Sequence, residues 1–286
     1  MFDGFTRQEI KTQETTINLV QGGQGYPVLL LHGYPQTHVC WHRVAPLLAE
    51  RFMVICPDLR GFGDSGKPPS DSQHLAYSKR VMAQDQVEVM QRLGFDEFAV
   101  VGHDRGARVA HRMALDHAGQ ITKLALLDII PTSTAFRSVD KEMATGAFNW
   151  FFSIQPDGLP ERLIGSESIF YLHWILDHWS GAPGTLADEA VAEYERCFDK
   201  DTIRATNEEF RAAATIDLIH DESDQHSKIS CPTLVLWSAG SWKKFDLLET
   251  WKERAADVRG SAFECGHFLP EEDPERTAGE LVQFLS

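Results

Sequence analysis

Residues Phe98-Ala99-Val100-Val101-Gly102-His103-Asp104-Arg105-Gly106 read as a short apolar strand running into G-x-D-x-G and then a helix. That is the spacing of a nucleophile elbow, with Asp where a serine hydrolase carries Ser. An Asp there can also simply cap the helix that follows. The flanking glycines, which allow the sharp turn, favour Asp104 as the nucleophile. An aspartate does what a serine cannot. Serine attacking saturated carbon gives an ether that water does not readily cleave, whereas a carboxylate gives an ester that water opens at the aspartate's own carbonyl. The motif therefore points to displacement at sp³ carbon followed by ester hydrolysis.

The second step needs a base and an acid that orients it. Among 12 histidines, His267 stands out: it follows a strand, is preceded by Gly266, and lies just before a C-terminal helix, in nucleophile…His chain order. The orienting acid of serine-type enzymes usually follows the strand Thr233 to Trp237. Here that position reads Ser238-Ala239-Gly240-Ser241-Trp242, with no acid before Asp246. Asp128, ending the preceding strand, is better placed. The oxyanion of ester hydrolysis needs backbone donors. Those expected are the N–H of Arg105 and, from the turn His32-Gly33-Tyr34-Pro35, that of Tyr34.

These residues need elements to hold them. Five continuous apolar runs (Val28 to Leu31, Phe52 to Cys56, Phe98 to Val101, Leu124 to Leu127, Thr233 to Trp237) are bounded by Gly, Pro or Asp. Such runs are strands buried on both faces, hence a mostly parallel sheet. Helical patterns lie between them, at Ser78 to Leu93, Arg105 to His117 and Glu275 to Leu285. The alternation is that of an α/β domain. Residues 133–227 break it: they are rich in aromatics and charges, with no convincing strand. They read as a helical cap inserted between two strands of a core formed by residues 1–132 and 228–286, over the carboxyl edge where open α/β sheets bind ligands.

With 286 residues the chain can bury a large core, and 27 Lys+Arg against 42 Asp+Glu leave a net charge of −15. That balance, without a basic cluster, argues against nucleic acid and anionic membrane as partners. Taken alone, it also opposes an anionic small substrate. Five scattered cysteines without a C-x-x-C pair fit a reducing compartment. With no signal peptide at Met1-Phe2-Asp3-Gly4 and no membrane-length apolar run, the expectation is a cytoplasmic protein.

Four motifs together resemble the haloacetate (fluoroacetate) dehalogenases of the α/β-hydrolase superfamily: His32-Gly33-Tyr34-Pro35-Gln36, Asp58-Leu59-Arg60-Gly61-Phe62-Gly63-Asp64-Ser65, Gly102-His103-Asp104-Arg105-Gly106-Ala107-Arg108 and Leu127-Asp128-Ile129-Ile130-Pro131-Thr132. The first two are shared with epoxide hydrolases and haloalkane dehalogenases. The third is specific, because those neighbours usually place Trp after the nucleophile where this chain has Arg105. The resemblance implies an α/β-hydrolase fold and an aspartyl-ester route from haloacetate to glycolate. A haloacetate carries a carboxylate on the carbon under attack, which repels an anionic nucleophile. Arg105 and Arg108, three residues apart on one helical face, can bind that carboxylate and cancel the repulsion, making the pocket locally positive despite the net charge.

The family holds the departing halide with a His-Trp pair and a Tyr from the cap. The matching positions here are Asn149, Trp150 and Phe210. Asn149 and Trp150 can still donate a hydrogen bond; Phe210 cannot. A lost donor costs about 1–3 kcal/mol, roughly ten- to a hundredfold in rate, and fluoride needs donors most. Chloro- and bromoacetate are thus expected to be favoured over fluoroacetate. Trp179 and Tyr171 are candidates to line the cap side of the pocket, and relatives of this kind are often homodimers. The chemistry calls for no metal or organic cofactor. His220, Asp221, Asp224 and His226 cluster, but without ligand spacing. One alternative is an epoxide hydrolase using Asp104 with the cap tyrosines Tyr171 and Tyr194; another is a non-catalytic small-molecule binding protein on the same scaffold.

Overall fold

The computed structural model describes residues 1–286. Its strands are β1 (Thr6–Lys11), β2 (Thr16–Gly23), β3 (Tyr26–Leu31), β4 (Phe52–Pro57), β5 (Phe98–His103), β6 (Ile121–Leu127), β7 (Thr233–Ser238) and β8 (Val258–Phe263). They form one eight-stranded sheet in the order β1-β2-β4-β3-β5-β6-β7-β8. The β1–β2 and β2–β4 pairs are antiparallel, and the rest are parallel. The five apolar runs are β3 to β7, the centre of the sheet, where consecutive buried residues mean that both faces are covered.

The outer strands carry no such run. β1 alternates exposed with half-buried residues, and β8 at the opposite edge is half-buried along most of its length. An edge in contact with solvent does not require continuous apolar side chains, so the sequence pattern did not mark these strands. β2, although largely buried, interleaves polar Thr16, Asn18 and Gln21 with its apolar residues.

In the core, α1 (Ala45–Ala49), α2 (Lys79–Arg92), α3 (Arg105–Asp116), α12 (Leu247–Lys252), α13 (Leu269–Glu272) and α14 (Pro274–Leu285) connect or flank the strands. α2 starts where the Ser78 hydroxyl accepts the Val81 N–H at 3.3 Å and ends before Gly94 at φ +87°. Between β6 and β7 the chain contains no strand. It forms α4 (Thr132–Arg137), α5 (Lys141–Gly146), α6 (Phe148–Ser153), α7 (Leu159–Ser166), α8 (Ser168–Trp179), α9 (Asp188–Cys197), α10 (Lys200–Ala214) and α11 (Ile216–Ser223). One apolar cluster runs without a break from the sheet into these helices, through Trp150, Leu172, Tyr194 and Phe210. No helix is long and apolar enough to cross a membrane.

The Asp58–Ser65 motif is a brace. The buried Asp58 carboxylate accepts hydrogen bonds from Asn18 Nδ2 (2.8 Å), His38 N (2.8 Å), His38 Nδ1 (2.8 Å) and Asp64 N (3.0 Å). Arg60 forks onto Asp85 at 2.7 and 2.8 Å. Neither residue is free for chemistry.

Candidate active site

Asp104 lies between β5 and α3 at φ +44°, ψ −115°, a conformation that L-residues rarely adopt. The glycines are needed for close approach. A Cβ on Gly102 would lie 2.5 Å from Ala107 Cα, and one on Gly33 would lie 2.6 Å from Asp104 Cβ. The Asp104 side chain makes no capping bond to α3. Its Oδ2 instead accepts the Tyr34 N–H at 3.0 Å. The turn carrying Tyr34 is fixed by His32, whose Nε2 accepts the Leu59 N–H at 2.9 Å, so that Nδ1–H donates to the Gly33 carbonyl at 2.9 Å. Burial lowers His32 to about 4, consistent with this neutral tautomer. Arg105 N–H opens α3 and therefore has no acceptor within the helix.

His267 Nδ1 lies 2.6 Å from Asp128 Oδ2. Its Nε2 is buried without a partner, and its backbone N–H donates to the Trp179 carbonyl at 2.8 Å. Burial opposes the imidazolium, yet the Asp128 carboxylate, helped by Asp104, carries the His267 pKa above its usual value. For Asp104, burial favours the neutral acid, but His267, Arg105 and Arg108 outweigh it and hold the carboxyl below its usual range. His103 is lowered to about 3 by burial and by His267, and stays neutral; its Nε2 is 2.8 Å from the His267 carbonyl.

The loop after β7, which has no acid, supplies donors instead. Ser238 N–H donates to Asp128 Oδ1 at 3.1 Å, Ser241 Oγ to Oδ2 at 2.9 Å, and Trp242 Nε1 to the Asp128 carbonyl at 3.1 Å. Glu272 fixes the loop bearing His267 by accepting the N–H groups of Gly266 and Phe268, each at 2.9 Å. Sequence reasoning did not find these residues.

Arg105 and Arg108 are both buried, but they are not equivalent. Arg105 Nε donates to Glu209 Oε1 at 2.9 Å, and its Nη2 lies 2.6 Å from Oε2. Glu209 on α10 also pairs with Lys79 Nζ, which lies 3.3 Å from Asp217 on α11. Burial would raise Glu209, but Arg105 and Lys79 keep it below its usual range. Arg108 Nη1 donates only to neutral oxygens, the Ile130 carbonyl (3.1 Å) and Thr132 Oγ1 (2.8 Å), while Nε and Nη2 have no partner. Burial and Arg105 lower Arg108 to about 10. The two guanidiniums expected to make the pocket positive therefore carry unequal charge into it. One is matched by a buried carboxylate, and Arg108 alone has no carboxylate at ion-pair distance.

The Trp150 ring lies 5.5 Å from the Arg105 guanidinium and 4.6 Å from that of Arg108; Phe210 lies 4.3 Å from Arg105. Asn149, next to Trp150, is fully buried with neither amide atom bonded. Phe210 packs edge-on against Tyr34 at 5.2 Å, and Trp179 edge-on against His267 at 5.3 Å. Tyr171 has the Tyr34 and Ser153 hydroxyls as polar neighbours. Tyr194 is committed elsewhere: its hydroxyl donates to Glu271 Oε2 at 3.0 Å. In the α11 region Asp221 accepts the Ser133 N–H at 3.1 Å and Asp224 pairs with Arg112 at 2.7 Å.

Residues 26–274 match the family model described as the α/β hydrolase fold. The chain is 43% identical to a fluoroacetate dehalogenase of a Burkholderia species, over 100% of this chain and 95% of that protein. It is 34% identical to a soluble epoxide hydrolase of a Corynebacterium species, covering 94% and 93%. A crystal structure of an α/β hydrolase from a Nostoc species superimposes with a TM-score of 0.99 at 56% identity, over 100% of this chain and 99% of that one.

Proposed function

The chain belongs to the α/β-hydrolase fold family, and from that premise we propose that it is a hydrolytic dehalogenase acting on haloacetates, with chloro- and bromoacetate favoured over fluoroacetate. The observation that carries this reading is the pairing of an elbow aspartate with Arg108, a buried guanidinium whose free N–H groups have no carboxylate to bind. A neutral substrate would leave that charge unanswered; a small carboxylate answers it.

Arg108 and the remaining N–H of Arg105 hold the substrate carboxylate and screen its repulsion of Asp104. The Tyr34 N–H fixes Asp104 Oδ2, leaving Oδ1 to attack the α-carbon in line as halide departs towards Trp150 and Asn149. Water then attacks the ester at the Asp104 carbonyl, with His267 Nε2 taking its proton. Asp128 keeps Nδ1–H engaged, so that Nε2 is the basic nitrogen. The negative charge develops on the oxygen already facing the Tyr34 N–H, with the Arg105 N–H as second donor. Collapse releases glycolate and restores Asp104.

A single turnover of chloroacetate in H₂¹⁸O with excess enzyme tests the route. The label is expected in the Asp104 carboxyl; label in glycolate alone would exclude the ester. The similarity to epoxide hydrolases keeps a second reading in view. It needs two tyrosines facing the nucleophile, and Tyr194 is bonded to Glu271 instead. Turnover of styrene oxide without halide release from chloroacetate would favour it.

A further inference from the structure

Three side chains on α6 and α8 hold polar atoms that the steps above leave wholly or partly unused. Asn149 and Ser153 lie one turn apart on α6, both fully buried, and neither Asn149 Oδ1 nor Nδ2 nor Ser153 Oγ has a hydrogen-bond partner. The Tyr171 hydroxyl on α8 lies within reach of the Ser153 and Tyr34 hydroxyls but makes no well-aligned bond to either. Unbonded buried polar atoms are destabilising, so a cluster of them marks a place where something else binds.

A departing halide satisfies this cluster only in part. It can accept from Asn149 Nδ2 or a hydroxyl, but it donates nothing to Asn149 Oδ1. The group that fits both donates and accepts. The cluster also sits beside elements of the proposed site. Asn149 adjoins Trp150, whose ring faces both guanidiniums, and Tyr171 neighbours Tyr34, whose N–H holds Asp104.

We propose that Asn149, Ser153 and Tyr171 form a hydroxyl-binding subsite, which makes the preferred substrates 2-haloalkanoates bearing a hydroxyl on the carbon next to the halogenated one. The assignment of substrate class rests on the dehalogenase reading. Asp104 forms a bond to C2 while the C2–halogen bond breaks and its electron pair leaves with the halide. Water cleaves the ester at the Asp104 carbonyl, giving the 2,3-dihydroxy acid, and its proton leaves through His267. The substrate hydroxyl takes no part in either step. It donates to Asn149 Oδ1 and accepts from Ser153 or Tyr171.

The test compares chloride release from 2-chloro-3-hydroxypropanoate and 2-chlorobutanoate, which differ by a methyl in place of the hydroxyl. A merely apolar pocket favours the methyl compound. The subsite instead predicts at least a tenfold higher kcat/KM for the hydroxylated acid, on the order of one well-made hydrogen bond. That ratio is expected to fall towards one in Ser153→Ala and in Tyr171→Phe. Calorimetric binding of the unreactive pair 3-hydroxypropanoate and butanoate to the wild-type protein gives the same comparison without chemistry. Equal binding and equal turnover of the two members of each pair would mean that the cluster holds only water, and would overturn the proposal. A binding preference for the hydroxy acid with no halide released from any haloacid would sink the dehalogenase reading and leave the subsite standing.

Discussion

The carboxyl edge of the sheet and the inner face of the helical segment meet around Asp104, and they are built on opposite rules. At the sheet edge the two aspartates are held in place: Asp128 by Ser238, Ser241 and His267, and Asp104 by Tyr34. His267 Nε2, the one atom proposed to move a proton, is left without a partner. On the helical face Asn149 and Ser153 are buried, their side-chain polar atoms and the Tyr171 hydroxyl make no well-aligned hydrogen bond, and Phe210 offers only a ring. An over-determined network fixes geometry, which suits groups that must act on any substrate in the same way. A face with open valences suits selection among substrates, because a ligand that fails to fill them leaves the penalty in place.

Breaking the sheet-edge side is expected to have the largest effect. Asp104→Ala removes the proposed nucleophile, and kcat for chloride release is expected to fall by about 10⁴-fold or more while the protein stays folded. Activity within tenfold of wild type would mean that water attacks directly. Next come the arginines, where the two sides join. Arg108→Leu is expected to raise the KM for chloroacetate about a hundredfold, since a lost charge-assisted pair is worth roughly 2–3 kcal/mol. It should cost little Tm, because that guanidinium is buried without a carboxylate partner. Arg105→Leu leaves Glu209 to Lys79 alone, and breaking a buried pair costs about 3–5 kcal/mol, so its Tm should drop by many degrees. Thermal melts alongside steady-state kinetics separate the two, and the reverse pattern would make Arg105 the principal clamp.

The same division decided what could be read from sequence. Asp104 and Asp128 sit just after strand ends marked locally by apolar runs stopping at Gly or Asp, and His267 is marked by the preceding Gly266 and the C-terminal helix that follows. Glu209 is far from Arg105 in the chain (a separation of 104 residues) and looks like one more acid on an amphipathic helix, so its partner was out of reach without the fold. Ser241 is invisible as an Asp128 ligand until β6 and β7 are known to be neighbours. β1 and β8 escaped because an edge strand facing solvent has no continuous apolar run to announce it. On the helical face, periodicity distinguishes buried from exposed residues but not bonded from unbonded ones. That is why the Ser153 hydroxyl drew no notice.

Phe210→Tyr sharpens the contrast from the helical side. The new hydroxyl would give the face the donor that the leaving halide lacks, and fluoride, the most strongly hydrated halide, gains most. The rate of fluoride release relative to chloride release is expected to rise about tenfold, the lower end of what one donor contributes. An unchanged ratio by ion chromatography would mean that position 210 does not face the departing halide.

The smallest expected effect lies on the seam between the two regions. Glu271, just after His267, is fully buried, bonded to Tyr194 of the helical segment and in contact with the Gln36 amide. Burial, reinforced by Glu272 and only partly offset by Tyr194, Arg43 and Gln36, raises its pKa to about 8. An acid whose folded pKa lies above its unfolded value stabilises the fold below the unfolded value, and that contribution is lost as pH rises through the folded one. Between pH 5 and 9 the wild-type Tm should therefore fall relative to that of Glu271→Gln, which keeps the shape of the protonated acid and does not titrate. The gap is expected to change by a few degrees. Parallel Tm curves would place Glu271 in its ordinary range and make the seam a permanent ion contact to Arg43. A wild-type curve that falls away from the Glu271→Gln curve as pH rises would instead show that a neutral carboxyl joins the fixed side of the site to the open one.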